Sequence, residues 1–172
     1  MPPQTNGVDI ANIQETRDKK MDISTDKPGT FLKIPLGDGS FSYGRVLEAP
    51  YTAFYDYRTT DPDTDLERIA SKAILFKIVV RDSSLQRWKP IGWRELETHL
   101  AQPVVAFTQD IGDFRRCTIF DTAGNEREAQ PQECVGLEPA VVWEEHHVEE
   151  RLLDTFMGRP NGPTERLSVK LR

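Results

Sequence analysis

The sequence predicts a single β-rich α+β domain: an antiparallel, strongly bent sheet or small barrel, closed by a C-terminal helix. Three features support this prediction: strand-like alternation after residue 40, an apolar run at 73–80, and a helical pattern after Pro139. Alternation of apolar and polar residues indicates strands, whereas apolar spacings of three and four indicate a helix. With 172 residues, the chain has the length of one domain.

The composition predicts an ordered body with polar ends. Hydrophobic residues make up 37% of the chain, which is low for a protein folded from end to end. Residues 1–26 are polar without periodicity, so we expect a flexible leader there. The folded domain is expected to span residues 27–158, and residues 159–172 are expected to form an irregular tail.

A hairpin is predicted at the start of the domain. Residues 31–36 form the first strand, and Pro35 confines that strand to a sheet edge or to a strand end. Gly37-Asp38-Gly39 is typical of a tight turn. The alternation that predicts the returning strand involves Phe41, Tyr43, Arg45 and Leu47.

Further strands follow along the chain. An aromatic stretch from Tyr51 predicts a third strand that ends at Asp56, before a charged loop. The run AILFKIVV is the best candidate for a central strand. A short strand or a turn is predicted at 88–92, short strands at 104–108 and 116–120, and a helical turn at 93–100.

The last predicted element is an amphipathic helix between Pro139 and Gly158. Proline is favoured at the start of a helix and glycine at its end. An apolar stripe with helical spacing is formed by Val141, Val148, Leu152, Thr155 and Phe156.

The glycine-rich stretch LGDGSFSYGRV suggests a phosphate-binding loop, but its residues argue against one. Gly39 and Gly44 have the glycine spacing of G-x-x-x-x-G-K-[ST], yet Arg45 and Val46 occupy the positions that require lysine and a hydroxyl. The chain has neither H-R-D nor D-F-G, which protein kinases need. The segment 121–126, DTAGNE, resembles a GTPase motif, but without a phosphate loop it predicts an ordinary turn.

No catalytic, cofactor or metal site is predicted. Glu144 and His147 have the spacing of half a di-iron site, but the chain has no second E-x-x-H. Asp113 and Asp121 could form an acid–base pair only if the fold brought them together. A hydrolase that uses these aspartates or the histidines therefore stays an alternative.

Charge and cysteine content predict a cytoplasmic protein with a protein partner. The net charge of −6 disfavours nucleic-acid binding and suits a basic partner. No apolar run is long enough to span a bilayer, and no signal peptide is visible, so membrane association is not expected. Cys117 and Cys134 are expected to be reduced thiols; a disulfide between them would imply export.

Two surfaces are candidates for the partner. The loop 56–67 combines tyrosines, which are frequent in interface hot spots, with aspartates. The other surface is the glutamate-rich face of the C-terminal helix. The candidate contact residues are Tyr55, Asp56, Tyr57, Asp61, Asp63, Asp65, Glu144, Glu145, Glu149 and Glu150.

Residues 27–56, KPGTFLKIPLGDGSFSYGRVLEAPYTAFYD, resemble the Immunity protein 26 family of bacterial polymorphic toxin systems. The shared features are a Pro-Gly opening, a strand ending in I-P-L, a G-D-G turn and an aromatic strand with Tyr-Gly. A looser resemblance continues to about residue 160.

The resemblance implies a non-enzymatic immunity protein, or antitoxin, that binds and neutralises a cognate toxin, with a nuclease as one toxin class. It carries over no catalytic residue and no cofactor. It also leaves the oligomeric state open. A small β-barrel module that binds a peptide or other ligand outside any toxin system stays an alternative.

Overall fold

A computed structural model describes residues 24–172, and within them the chain forms ten strands. The predicted α+β class, rich in strands, is confirmed. The strands are β1 (Thr30–Pro35), β2 (Phe41–Val46), β3 (Tyr51–Tyr55), β4 (Ile74–Val80), β5 (Lys89–Trp93), β6 (Val105–Gln109), β7 (Cys117–Asp121), β8 (Glu126–Ala129), β9 (Glu138–Pro139) and β10 (Val142–Trp143).

The helices are short except for one near the C-terminus. They are α1 (Leu66–Ala70), α2 (Asp82–Leu85), α3 (Glu145–Phe156) and α4 (Gly162–Leu167), with a 3₁₀-helix at Pro131–Cys134. Helix α1 begins in the last two residues of the predicted loop 56–67; Asp65 caps it by accepting a hydrogen bond from the amide of Arg68. No helix within residues 24–172 is long and apolar enough to cross a membrane.

The strands form two sheets. The six-stranded sheet has the order β10-β4-β3-β2-β1-β5, and the four-stranded sheet has the order β8-β7-β6-β9. Both are mixed rather than purely antiparallel, because β10 runs parallel to β4 and β9 runs parallel to β6. No closed barrel is found in the described part of the chain, and the strong bending of the sheet stays a prediction.

The first hairpin forms as the glycine-rich stretch predicts. Leu32 faces Gly44 across the antiparallel β1–β2 pair, and Gly39 takes a left-handed φ of +84° in the turn. Strand β1 lies between β2 and β5, so it is an interior strand. Pro35 is tolerated there because it stands at the strand's end, where a missing amide donor costs little.

The six-stranded sheet is buried on both faces. One face packs Leu32, Ile34, Phe54 and other residues against helix α3. The opposite face packs Phe31, Tyr43 and further aromatic residues against helix α1. Adjacent strand residues point to opposite faces, so β1, β2 and β3 each contribute to both cores. The aromatic strands predicted from the sequence are therefore central to the fold.

The C-terminal helix starts later than predicted. Pro139 and the residues around it form the short strands β9 and β10, and helix α3 begins only at Glu145. Parallel pairing with β6 and β4 holds this segment extended, which overrides the preference of proline for a helix start. Gly158 adopts a φ of +64° after the helix, as a glycine at that position should.

The C-terminal tail is not irregular throughout. Residues Gly162–Leu167 form helix α4, whose first turn contains Pro163 and is capped by the side chain of Asn161. The domain boundaries at residues 27 and 158 stay predictions. The predicted leader lies outside the described residues as far as residue 23.

Candidate protein-binding site

Strand β2 fixes the shape of residues 56–67, here called the acidic loop. The backbones of Phe41 and Thr59 exchange hydrogen bonds of 2.8 and 2.9 Å. The Tyr43 hydroxyl accepts a hydrogen bond from the amide of Asp63 at 2.7 Å and lies 2.7 Å from the Thr59 hydroxyl. Through these hydrogen bonds, strand β2 holds residues 56–63 in place.

The carboxylate of Asp63 is a structural part of this loop. It accepts hydrogen bonds from the Tyr57 hydroxyl at 2.7 Å and from the amide of Asp65, and it forms an ion pair with Arg68 at 3.0 Å. These bonds, with that from Tyr57 contributing most, lower the pKa of Asp63 below its ordinary value. Asp65 also pairs with Arg68, at 3.1 Å. Arg68 of α1 therefore balances part of the negative charge of Asp63 and Asp65.

Asp38 of the G-D-G turn joins the hairpin to the same loop. Its carboxylate accepts hydrogen bonds from the hydroxyl and the amide of Ser40, and it forms an ion pair with Arg58. Chiefly because of the bonds from Ser40, the pKa of Asp38 falls to about 2. A turn residue thereby anchors the first part of the loop.

Asp56 and Asp61 are exposed aspartates of the loop that have no charged partner among the described residues. Tyr57 is half-buried, with its ring 5.4 Å from that of Tyr43. These residues stay predicted contacts.

Tyr55 does not lie on the surface. Its side chain is fully buried, and its ring stacks on Phe31 with the centroids 6.2 Å apart. The alternation of β3 directs this side chain into the core, so Tyr55 stays a predicted contact without an exposed side chain.

Arg45 is a buried residue that holds distant segments together, and its sequence pattern did not predict this role. Its side chain is fully buried above the ring of Phe31, with 3.9 Å between the guanidinium carbon and the ring centroid. An arginine has five N–H donors. Its acceptors are the carbonyls of Gly29 (2.8 Å), Arg94 (2.9 Å) and Glu95 (3.0 Å), the Tyr55 hydroxyl (3.1 Å) and the Glu97 carboxylate (3.1 Å).

The Arg45 network ties β2 to the segment after β5. The only sequence signal for it was the position of Arg45 between Tyr43 and Leu47 on one face of a strand. A charged residue at such a position must be buried with partners or lie at an edge. The partners come from distant parts of the chain, so the pattern by itself could not identify them.

Glu144 and Glu145, near the start of α3, also have internal partners. Glu144 pairs with Arg81 at 3.3 Å. Glu145 accepts a hydrogen bond from the Ser84 hydroxyl and pairs with Arg87 at 2.9 Å. The hydrogen bond from Ser84 is the main cause of the lowered pKa of Glu145. These acids connect α3 to the segment around α2.

Glu149 and Glu150 differ in their surroundings. Glu149 accepts a hydrogen bond of 2.8 Å from the indole nitrogen of the buried Trp88. Glu150 is exposed and forms no ion pair with a described residue. Of the four glutamates predicted as contacts, Glu150 is the one that is both exposed and uncompensated.

The two predicted surfaces lie on opposite faces of the six-stranded sheet. The acidic loop continues into α1, which packs with Tyr43 on one face, while α3 packs with Phe54 on the other. One compact interface would not cover both. They are therefore two separate candidate surfaces.

The remaining chemical candidates do not converge. Asp121 is the last residue of β7 and Asp113 lies four residues before the strand begins. Each is engaged in a local turn: Asp113 with Arg115, and Asp121 with Asn125. The fold does not bring them together as an acid–base pair. Within residues 24–172, no three His, Cys, Asp or Glu side chains are grouped to hold a metal ion.

The GTPase-like segment forms the turn between β7 and β8. The Asp121 carboxylate accepts hydrogen bonds from the amides of Ala123 at 2.9 Å and Asn125 at 3.0 Å, and Gly124 has a φ of +90°. The cysteines Cys117 and Cys134 are free thiols, buried beside Phe107 in the core of the four-stranded sheet.

Comparison with known proteins gives a single assignment. Searches of curated proteins and of solved structures found no match to this chain. The family model described as Immunity protein 26 matches residues 27–118, which is more than half of the sequence. The match includes the first hairpin, the acidic loop and the Arg45 network. The chain belongs to the Immunity protein 26 family.

Proposed function

We propose that this protein neutralises a toxin by binding it, as the antitoxin of a bacterial polymorphic toxin system. The observation that carries the proposal is the family match over residues 27–118. The proposed role needs no catalysis and no cofactor, and its site of action is the cytoplasm. Binding alone suffices if the complex blocks the toxin's active surface.

The arrangement of the motif residues supports a binding role. Gly39, Tyr43 and Arg45 make internal contacts that order the hairpin, the loop and the segment after β5. A pre-ordered loop loses little conformational entropy when a partner binds it. The family motif thus supplies a rigid frame, and the contact residues are expected outside it.

The charge of the protein supports a basic toxin, with a nuclease as the first class to test. The chain carries a net charge of −6. Asp56, Asp61 and Glu150 are exposed acids without an internal ion pair among the described residues. Exposed charge of this kind accelerates association with an oppositely charged partner. A nuclease surface that binds phosphates is basic.

Co-expression tests the proposal directly. The toxin encoded beside this gene is induced in a bacterial host with and without this protein. Growth should be rescued only when this protein is present, and the two purified proteins should co-elute. An inactive toxin serves as the control for expression burden. Unrestored growth, together with separate elution of the two proteins, would overturn the proposal.

A further inference from the structure

The β6–β7 hairpin presents two large apolar side chains to solvent. Ile111 is 92% exposed, more than any other large apolar residue in the described part of the chain, and Phe114 is 42% exposed. Both lie in the turn 110–116. Single exposed apolar residues are ordinary on protein surfaces. Here one turn carries two exposed apolar side chains, three positions apart.

The turn that carries them is ordered by its own hydrogen bonds. The Asp110 carboxylate accepts hydrogen bonds from the amides of Gly112 at 2.7 Å and Asp113 at 3.2 Å. The amide of Asp110 donates to the carbonyl of Arg116 at 2.9 Å, and Asp113 pairs with Arg115 at 2.9 Å. An ordered turn presents its apolar side chains without a large entropic cost of binding.

The C-terminal tail runs beside this turn and brings a third exposed apolar residue close in the chain to the point of contact. The side-chain amide of Gln109 joins the turn to the tail. Its Nε2 donates to the backbone carbonyls of Phe114 and Lys170, both at 2.7 Å, and its Oε1 accepts from the backbone amide of Lys170 at 2.8 Å. Leu171, the next residue, is 53% exposed. Ile111, Phe114 and Leu171 together are here called the apolar tip.

A polar groove of about 430 Å³ adjoins the tip. It shares Asp110 and Arg115 with the turn and extends to Glu128 of β8 and Glu133 of the 3₁₀-helix. Neither Arg116 nor Glu128 forms an ion pair within residues 24–172. The groove therefore offers a cation and an anion that a partner can match.

We propose that the apolar tip and the polar groove anchor the toxin. This inference rests on the proposed function. Apolar anchors beside a polar rim are the usual anatomy of a protein interface. The partner surface would have an apolar pocket for the tip, an acidic group for Arg116 and a basic group for Glu128. The family match includes Ile111, Phe114 and Arg116, which places most of this surface in the family region.

The test compares two double variants that each remove two exposed apolar side chains. I111S/F114S truncates the tip. The control, V142S/M157S, changes residues that are 59% and 46% exposed elsewhere. Affinity for the purified, inactivated toxin encoded beside this gene is measured by biolayer interferometry. I111S/F114S should bind about 100-fold more weakly, mainly through faster dissociation. The control should change affinity less than about threefold.

The outcomes are distinguishable. Urea denaturation of both variants should give the wild-type midpoint, because the changed residues are exposed. If wild type binds the toxin and I111S/F114S binds equally well, the tip is not the anchor and the proposed function stands. If wild type does not bind, both proposals fail. If I111S/F114S instead turns a dimer of the isolated protein into a monomer in sedimentation, a second copy occupies the tip, and the toxin assignment is overturned.

Discussion

Arg45 and Glu97 lie 52 positions apart in the sequence, yet their side chains form an ion pair of 3.1 Å with the arginine fully buried. Glu97 remains 28% exposed. The pair fastens strand β2 to the segment after β5, and both residues lie in the region that the family model matches.

Replacing Arg45 should destabilise the protein strongly. R45M should lower the free energy of unfolding by about 3 to 5 kcal/mol, because it leaves one carboxylate and three backbone carbonyls without their donor. R45K should also be destabilising, since an ammonium group has three donors and cannot reproduce the guanidinium fork. Urea denaturation measures both effects.

E97Q is the matched control for the R45M variant. Its amide oxygen still accepts a hydrogen bond, and the side chain is partly solvated, so the loss should be about 1 kcal/mol. An R45M protein as stable as wild type would contradict the assigned role of the network.

Gly29 should not tolerate a side chain. A Cβ there would lie 2.2 Å from the carbonyl oxygen of Arg94, and the residue has a φ of +100°. G29A should therefore combine steric overlap with backbone strain and cost more than about 3 kcal/mol. Thermal denaturation provides the measurement.

A substitution at Gly39 separates the cost of backbone strain from the cost of steric overlap. It has a φ of +84°, but a Cβ there would meet nothing within 4 Å. G39A should cost only the conformational strain, about 1 to 2 kcal/mol. Equal losses for G29A and G39A would show that the contact with Arg94 is unimportant.

The Asp38 anchor should make stability depend on pH in the acid range. The pKa of Asp38 falls from an ordinary value of 3.8 to about 2 in the folded protein. A lowered pKa stabilises the fold above the unfolded-state value, and that stabilisation disappears as pH falls through the folded-state value. D38N should therefore differ from wild type above pH of about 4 and converge with it near pH 2.

The measurement for Asp38 is a series of urea denaturations between these pH values. S40A removes the main hydrogen bond that lowers the pKa of Asp38, so it should reduce the same pH dependence. A constant difference between D38N and wild type across the range would rule out the proposed linkage.

Charge reversal in the acidic loop should affect toxin association according to each residue's partners. D56K/D61K should slow association by about tenfold at low salt and flatten its salt dependence, because both acids are exposed. Stopped-flow association kinetics at several ionic strengths give the measurement.

D63K serves as the structural comparison. It removes the acceptor of the Tyr57 hydroxyl and of Arg68, so it should lower the stability of the loop as well as toxin binding. Unchanged association rates for D56K/D61K would exclude the exposed loop acids from the encounter with the toxin.

Local sequence patterns predicted the strands well because their causes are local. The G-D-G turn, the alternation around Tyr43 and the apolar run 73–80 depend on backbone preferences and on the burial of local side chains. Prediction failed where long-range pairing decided the outcome. Pro139 lies in a strand, since β6 holds its segment extended. Tyr55 is buried because its face of β3 packs on Phe31.

The sequence by itself determined the strand-rich class, the first hairpin and the family, because these rest on short motifs whose residues are neighbours in the chain. Tertiary structure alone decided which charges are available. It paired Asp63 with Arg68, buried Arg45 against Glu97, and left Asp61 exposed. Ion pairing and desolvation depend on distances in space, which residue order does not specify.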